Sequence, residues 1–127
     1  MYEYFSHVLR TIDGDTLWAD VDLGCDTHLH LTIRLAGVNA PESGSVEGQA
    51  ATEYVENWIH NHGGDGGLVL LRTTKDRREK YGRYLGDVFG WPEGIEERFK
   101  AGMTPDRHLN EMLVVEGHAV PYDGGHR

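Results

Sequence analysis

The spacing of hydrophobic and polar positions changes several times along the chain, and each change marks an element. Tyr2 to Leu9 is rich in aromatic and branched residues and reads as a strand, followed by Asp13-Gly14 as a hairpin-type turn in which glycine tolerates a positive φ. Thr16 to Leu23 answers it as the partner strand. After Gly24-Cys25-Asp26, the run Thr27 to Leu35 alternates strictly: Leu29, Leu31, Ile33 and Leu35 face one way, and His28, His30, Thr32 and Arg34 the other. That pattern predicts a half-buried strand with Arg34 on its polar side.

From Ala36 to Gly48 the pattern breaks into Gly, Pro, Asn and Ser, a loop about a dozen residues long, a length that often carries function in small domains. Ala51, Tyr54, Val55, Trp58 and Ile59 then recur at helical spacing, and Gly63-Gly64 supplies a left-handed stop. Val69 to Arg72 and Tyr84 to Phe89 read as short strands. Thr104-Pro105 reads as an N-cap with proline at the first helical position, and Leu109, Met112, Leu113 and Val115 form an apolar stripe ended by Gly117. Five strands and two helices with no internal repeat predict one α+β domain over residues 1–127. The expected form is a five-stranded Greek-key barrel of the OB-fold type, with two or three helices packed on it.

Composition narrows the function classes. Only Cys25 is present among 127 residues, so no disulfide can form within the chain. The beginning, Met1-Tyr2-Glu3-Tyr4, lacks the basic then apolar signature of a signal peptide, and no run approaches the roughly 18 apolar residues of a membrane span. A cytoplasmic, monomeric protein without a membrane partner is the expectation, with secretion left open for a longer precursor. The formal net charge is −9, which argues against sequence-independent binding to phosphate backbones. The cations, however, are unevenly placed: Arg72, Lys75, Arg77, Arg78, Lys80 and Arg83 stand among only Asp76 and Glu79, a local +4 that leaves −13 for the rest.

Four polar positions fall where this layout brings loops and strand ends together: Asp15, Arg34, Glu42 and Arg83. Singly, each has an ordinary reading as turn chemistry, a solvated strand face or a loop end. Together they supply a carboxylate for a hard cation, a second carboxylate to take a proton from water, and two guanidiniums whose planar forks bind phosphate oxygens in pairs. Other candidates are weaker. His28 with His30 and His60 with His62 have no Cys or carboxylate partner at zinc-site spacing along the sequence, and Ser43 and Ser45 lack a nucleophile elbow. Trp58 belongs to its helical stripe, whereas Trp18 and Trp91 are candidates for stacking on bases.

Four separated runs carry a resemblance. Ile12-Asp13-Gly14-Asp15-Thr16-Leu17, Ile33 to Glu42, Lys80-Tyr81-Gly82-Arg83-Tyr84-Leu85 and Leu109 to Ala119 match in order and spacing the staphylococcal nuclease (thermonuclease) family, over about Tyr4 to Tyr122. The resemblance implies an oligonucleotide-binding barrel acting as a calcium-dependent phosphodiesterase on DNA and RNA. It implies that Asp15 and Asn39 bind Ca2+ together with the backbone carbonyl of Ala40. Glu42 would be the general base, Arg34 and Arg83 would hold the scissile phosphate, and Lys80, Tyr81 and Tyr122 would contact substrate. Asn39 stands where the family usually has Asp, which predicts weaker calcium binding. The acidic total predicts a weak hold on long polymers and a preference for short or single-stranded substrates. The competing class is the same barrel binding nucleic acid or a protein without catalysis.

Overall fold

The structure, a computed structural model, describes residues 2–78, 83–90, 97, 100–102 and 107–122, without the side chains of 74–78. Eight strands and two helices are described: β1 Tyr2–Asp13, β2 Thr16–Gly24, β3 Thr27–Leu35, β4 Val38–Asn39, α1 Val46–His62, β5 Leu68–Arg78, β6 Tyr84–Gly90, β7 Arg107–His108, α2 Leu109–Val115 and β8 Val120–Pro121. The hydrogen-bonded order is β3-β2-β1-β5-β6, and β3 also pairs with β6. That last pairing is parallel, with Ile33 opposite Tyr84 and Leu35 opposite Gly86. It closes five long strands into an OB-fold barrel, leaving no open edge where they meet.

The barrel interior is filled from alternate positions, Leu17, Ala19 and Val21 on β2, Ile33 and Leu35 on β3, Val69 and Leu71 on β5, and Val88 on β6. Val55, Trp58 and Ile59 of α1 and Leu109 and Leu113 of α2 join the same core. One buried polar side chain ties α2 to the barrel. Asn110 Oδ1 accepts from Val88 N–H, while its amide nitrogen donates to the carbonyls of Ala36 and Gly86.

Several local expectations change. Arg34 is buried rather than set on a solvated face, and Leu29 is exposed. Alternation assigns faces correctly but cannot tell that barrel closure buries both faces of β3 at Ile33–Leu35 and leaves its first half in solvent. Gly63 is extended (φ −92°), and the positive angles fall later, at Gly66 and Gly67. Within the 36–48 loop, Val38 and Asn39 pair with Pro121 and Val120, a two-residue strand too short to leave a pattern. Helix α2 begins at Leu109 with His108 as its cap, and Thr104-Pro105 lies outside the described residues. Among the described residues no helix is long and apolar enough to cross a membrane.

Candidate active site

Asp13 pairs with Thr16, so Gly14 and Asp15 form the two-residue tip of the β1–β2 hairpin. Gly14 has no positive φ; its role is space. A Cβ there would come within 2.7 Å of the Ala51 methyl and 2.8 Å of the Ala40 methyl, too close for any real side chain. The missing side chain lets the hairpin tip press against α1 and the 36–48 loop together. Asp15 is locked in that position through its backbone, which accepts from Leu35 N–H at 2.8 Å and donates to Asp13 Oδ1 at 3.1 Å.

Asp15 is only 8% exposed, and each of its carboxylate oxygens has a hydrogen-bond donor. Oδ1 accepts from the Thr16 hydroxyl at 2.9 Å, and Oδ2 accepts from Ala40 N–H at 2.9 Å while standing 3.6 Å from Arg34 Nη2. Burial alone would raise its pKa, but the hydrogen bonds from Asp13 and Ala40, the charge of Arg34 and the Thr16 hydroxyl outweigh burial and hold it below the ordinary carboxylate value. Asp13 moves the opposite way, raised by burial and by its hydrogen bond and charge contact with Asp15. Of the two, Asp13 keeps its proton to higher pH.

Arg34, on β3, sits opposite Thr16 of β2 and opposite Leu85 of β6. Its Nη1 donates to the carbonyls of Leu35 (2.9 Å) and Val38 (2.7 Å), and Nη2 donates to Asn39 Oδ1 at 3.2 Å. A guanidinium has five N–H donors. Three are therefore committed to holding the 35–39 turn, and two remain. The Tyr122 ring lies 5.7 Å from the guanidinium carbon, and its backbone N–H donates to Gly37 O, so the strand β8 and Tyr122 close over the same turn.

Asp15, Arg34, Asn39, Ala40 and Tyr122 thus converge. Glu42 follows two residues on, in an exposed stretch. Its backbone carbonyl accepts from Ser45 N–H and from the Ser45 hydroxyl, the same hydroxyl that caps α1 by accepting from Gly48 N–H. No hydrogen bond or ion pair engages its carboxylate among the described residues. Arg83, half-buried, directly precedes Tyr84, whose partner Ile33 neighbours Arg34. Lys80 and Tyr81 lie outside the described residues. Reasoning from sequence missed Thr16, Asp13, Gly14 as a packing glycine and Gly48, where a Cβ would collide with the Glu42 carbonyl; the Asp-Gly-Asp-Thr run was the available signal for three of the four.

The side-chain oxygens at hand are the Asp15 carboxylate and the Asn39 amide. This is a hard donor set with a single negative charge, of the kind calcium accepts and zinc does not favour.

A family model described as staphylococcal nuclease homologue matches residues 32–126, a stretch that includes Arg34, Asn39, Ala40, Glu42, Arg83 and Tyr122 but begins after Asp15. A micrococcal nuclease of Shigella flexneri is 28% identical over 120 residues, which cover 94% of this chain and 59% of that protein. The chain therefore spans about three-fifths of that relative's length.

Proposed function

The chain belongs to the staphylococcal nuclease homologue family, and from that premise we propose that it is a nuclease, hydrolysing phosphodiester bonds of DNA or RNA with little base specificity. The observation that carries the reading is the pairing of a buried, ionised Asp15 with a buried Arg34 that keeps two donors uncommitted. A buried guanidinium with free donors is a receptor for an anion, and a phosphodiester offers two oxygens at matching separation.

In the proposed reaction Glu42, exposed and without a partner among the described residues, takes a proton from water. The resulting hydroxide attacks phosphorus in line with the leaving oxygen, and Arg34 and Arg83 neutralise the charge that gathers on the phosphoryl oxygens. Asp15, Asn39 and the Ala40 carbonyl would hold calcium, which when bound supplies positive charge beside the phosphate. Thr16 and the Ala40 N–H keep Asp15 oriented for that task. Lys80 and Tyr81 would contact the neighbouring phosphate, and Tyr122 would present its ring to substrate beside Arg34. The −9 total charge supports weak, salt-sensitive retention of long polymers and a preference for short or single strands.

A second reading, a barrel that binds without cleaving, draws on one observation: Asn39 brings no charge and its Oδ1 already accepts from Arg34. Incubation with denatured DNA, in calcium or in chelator, separates the two. Cleavage in calcium alone is expected, with Glu42→Gln lowering turnover far more than binding and Arg83→Ala lowering both. Full activity in either variant would remove this mechanism, and binding without cleavage in the parent would favour the second reading.

A further inference from the structure

The outer face of the β2–β3 hairpin carries a second polar group, remote in register from Asp15. Asp20 stands directly across from His30 and Asp22 across from His28, beyond the Trp18–Thr32 pair. Opposed side chains on one face of such a ladder start about 4.5–5.5 Å apart at Cβ. Here Asp20 Oδ1 lies 3.2 Å from His28 Nδ1 and 3.9 Å from His30 Nε2. Two imidazole nitrogens therefore converge on one carboxylate oxygen.

A hydrogen-bonded ladder does not account for this grouping. Asp22 turns away, accepting from Gly24 N–H at 2.8 Å, so His28 takes Asp20 instead. The 3.9 Å contact of His30 is too long for a hydrogen bond, and the described structure offers its ring no other polar partner. What His30 does have is Trp18, edge to face with ring centroids 5.7 Å apart, a packing contact beside the ring whose Nε2 lies 3.9 Å from Asp20. Two neutral imidazoles and a carboxylate are the donor set of zinc and its transition-metal neighbours rather than of calcium.

We propose that Asp20, His28 and His30 form a surface site for a divalent transition ion, zinc foremost, separate from the proposed calcium ligands and independent of the nuclease reading. Two ligands on tetrahedral zinc stand about 3.3 Å apart, given bonds of about 2.0 Å. The His28 separation matches this and the His30 separation exceeds it slightly. As they stand, no three His, Cys, Asp or Glu side chains among the described residues surround a point as ligands. The side chains are 47%, 56% and 26% exposed for His28, His30 and Asp20, so small rotations can bring them together. Binding replaces the hydrogen bond between His28 and Asp20 with two bonds to the metal: Nδ1 of His28 must give up its proton, and the neutral ring then carries its hydrogen on Nε2. The spacing of His28 and His30 along the chain gives no hint of the third ligand, because Asp20 arrives only through strand pairing.

Titration of chelator-stripped protein with zinc chloride in saturating calcium tests the site calorimetrically. One saturable equivalent is expected, retained in Asp15→Asn, lost in the His28→Ala/His30→Ala double variant and weakened about tenfold in Asp20→Asn. Nickel chloride should quench Trp18 fluorescence in the parent but leave the double variant and Trp18→Phe without that component. Should the double variant unfold, judged by circular dichroism without metal, His28→Gln serves in its place with the same expected loss. Saturable zinc binding that survives these histidine changes, that disappears in Asp15→Asn, or that is absent from the parent overturns the proposal.

Discussion

Gly48, in the first turn of α1, lies directly beneath the backbone carbonyl of Glu42, so close that no side chain fits between them. The contact sets how the loop carrying the proposed base approaches the helix, together with the Ser45 hydroxyl that bridges Glu42 O and Gly48 N–H. Gly48→Ala should therefore shift Glu42 and lower turnover by about 10²-fold, the cost of an ångström-scale misplacement. Gly44→Ala is the control, since a Cβ at Gly44 meets nothing within 4 Å. Single-turnover cleavage of a short single-stranded substrate would measure both, and equal rates for the two variants would refute this role for Gly48.

Asn39 sets the charge of the proposed calcium site. Asn39→Asp adds a second carboxylate beside Asp15 and offers Arg34 a charged acceptor in place of an amide. A unit charge a few ångströms from a cation is worth several kcal/mol even at an effective dielectric near 20, so the half-saturating calcium for cleavage should fall by about tenfold or more. An unchanged calcium requirement would show that Asn39 does not limit the site.

The Asp13–Asp15 pair makes opposite contributions to acid stability. Asp15 is held below the ordinary carboxylate value, so its contribution is present above about pH 4 and lost as pH falls through its lowered value. Asp13 is raised, so its contribution is present below about pH 4 and lost as pH climbs through its raised value. Asp13→Asn keeps an acceptor for Asp15 N–H while abolishing the titration. In chelator, its urea midpoint relative to the parent should rise with pH above about 4. A constant difference across the acid range would count against the raised Asp13.

Asn110 joins α2, the turn after β3 and β6 through three hydrogen bonds from a side chain 3% exposed. Asn110→Ala leaves two buried carbonyls and one N–H to find other partners. A loss of about 3 kcal/mol in urea unfolding is expected, from net bond energies near 1 kcal/mol plus the cost of stranded groups. A change below about 1 kcal/mol would mean that water or a local shift replaces the amide.

The legible part of this protein was whatever depends on neighbours in sequence. Strict alternation in β3 and the helical stripe from Ala51 to Ile59 gave those elements nearly to their ends, and the Asp-Gly-Asp-Thr and Arg34-to-Glu42 runs pointed to the residues that now converge. What sequence concealed depends on chain segments meeting. The burial of Arg34 follows from β3 joining β6, the closure of the 36–48 loop follows from Val120 reaching Asn39, and the Asp20–His28 contact follows from strand register. Gly48 illustrates a third kind of silence, because the need for an absent side chain appears only when the carbonyl above it is in place.

The β4–β8 pairing orders events during synthesis. Asp15, Arg34, Asn39 and Glu42 leave the ribosome early, but Val120, Pro121 and Tyr122, which brace the turn around them, emerge some eighty residues later. A growing chain thus carries its proposed reactive groups unframed while it is tethered to a machine made largely of RNA. Chains ending at Gly117 should cleave about 10²-fold more slowly than the full chain, a loss of positioning rather than of any proposed catalytic group. Emergence and pairing of Val120 to Tyr122, rather than translation of the last proposed catalytic group, would then be the moment at which cutting begins.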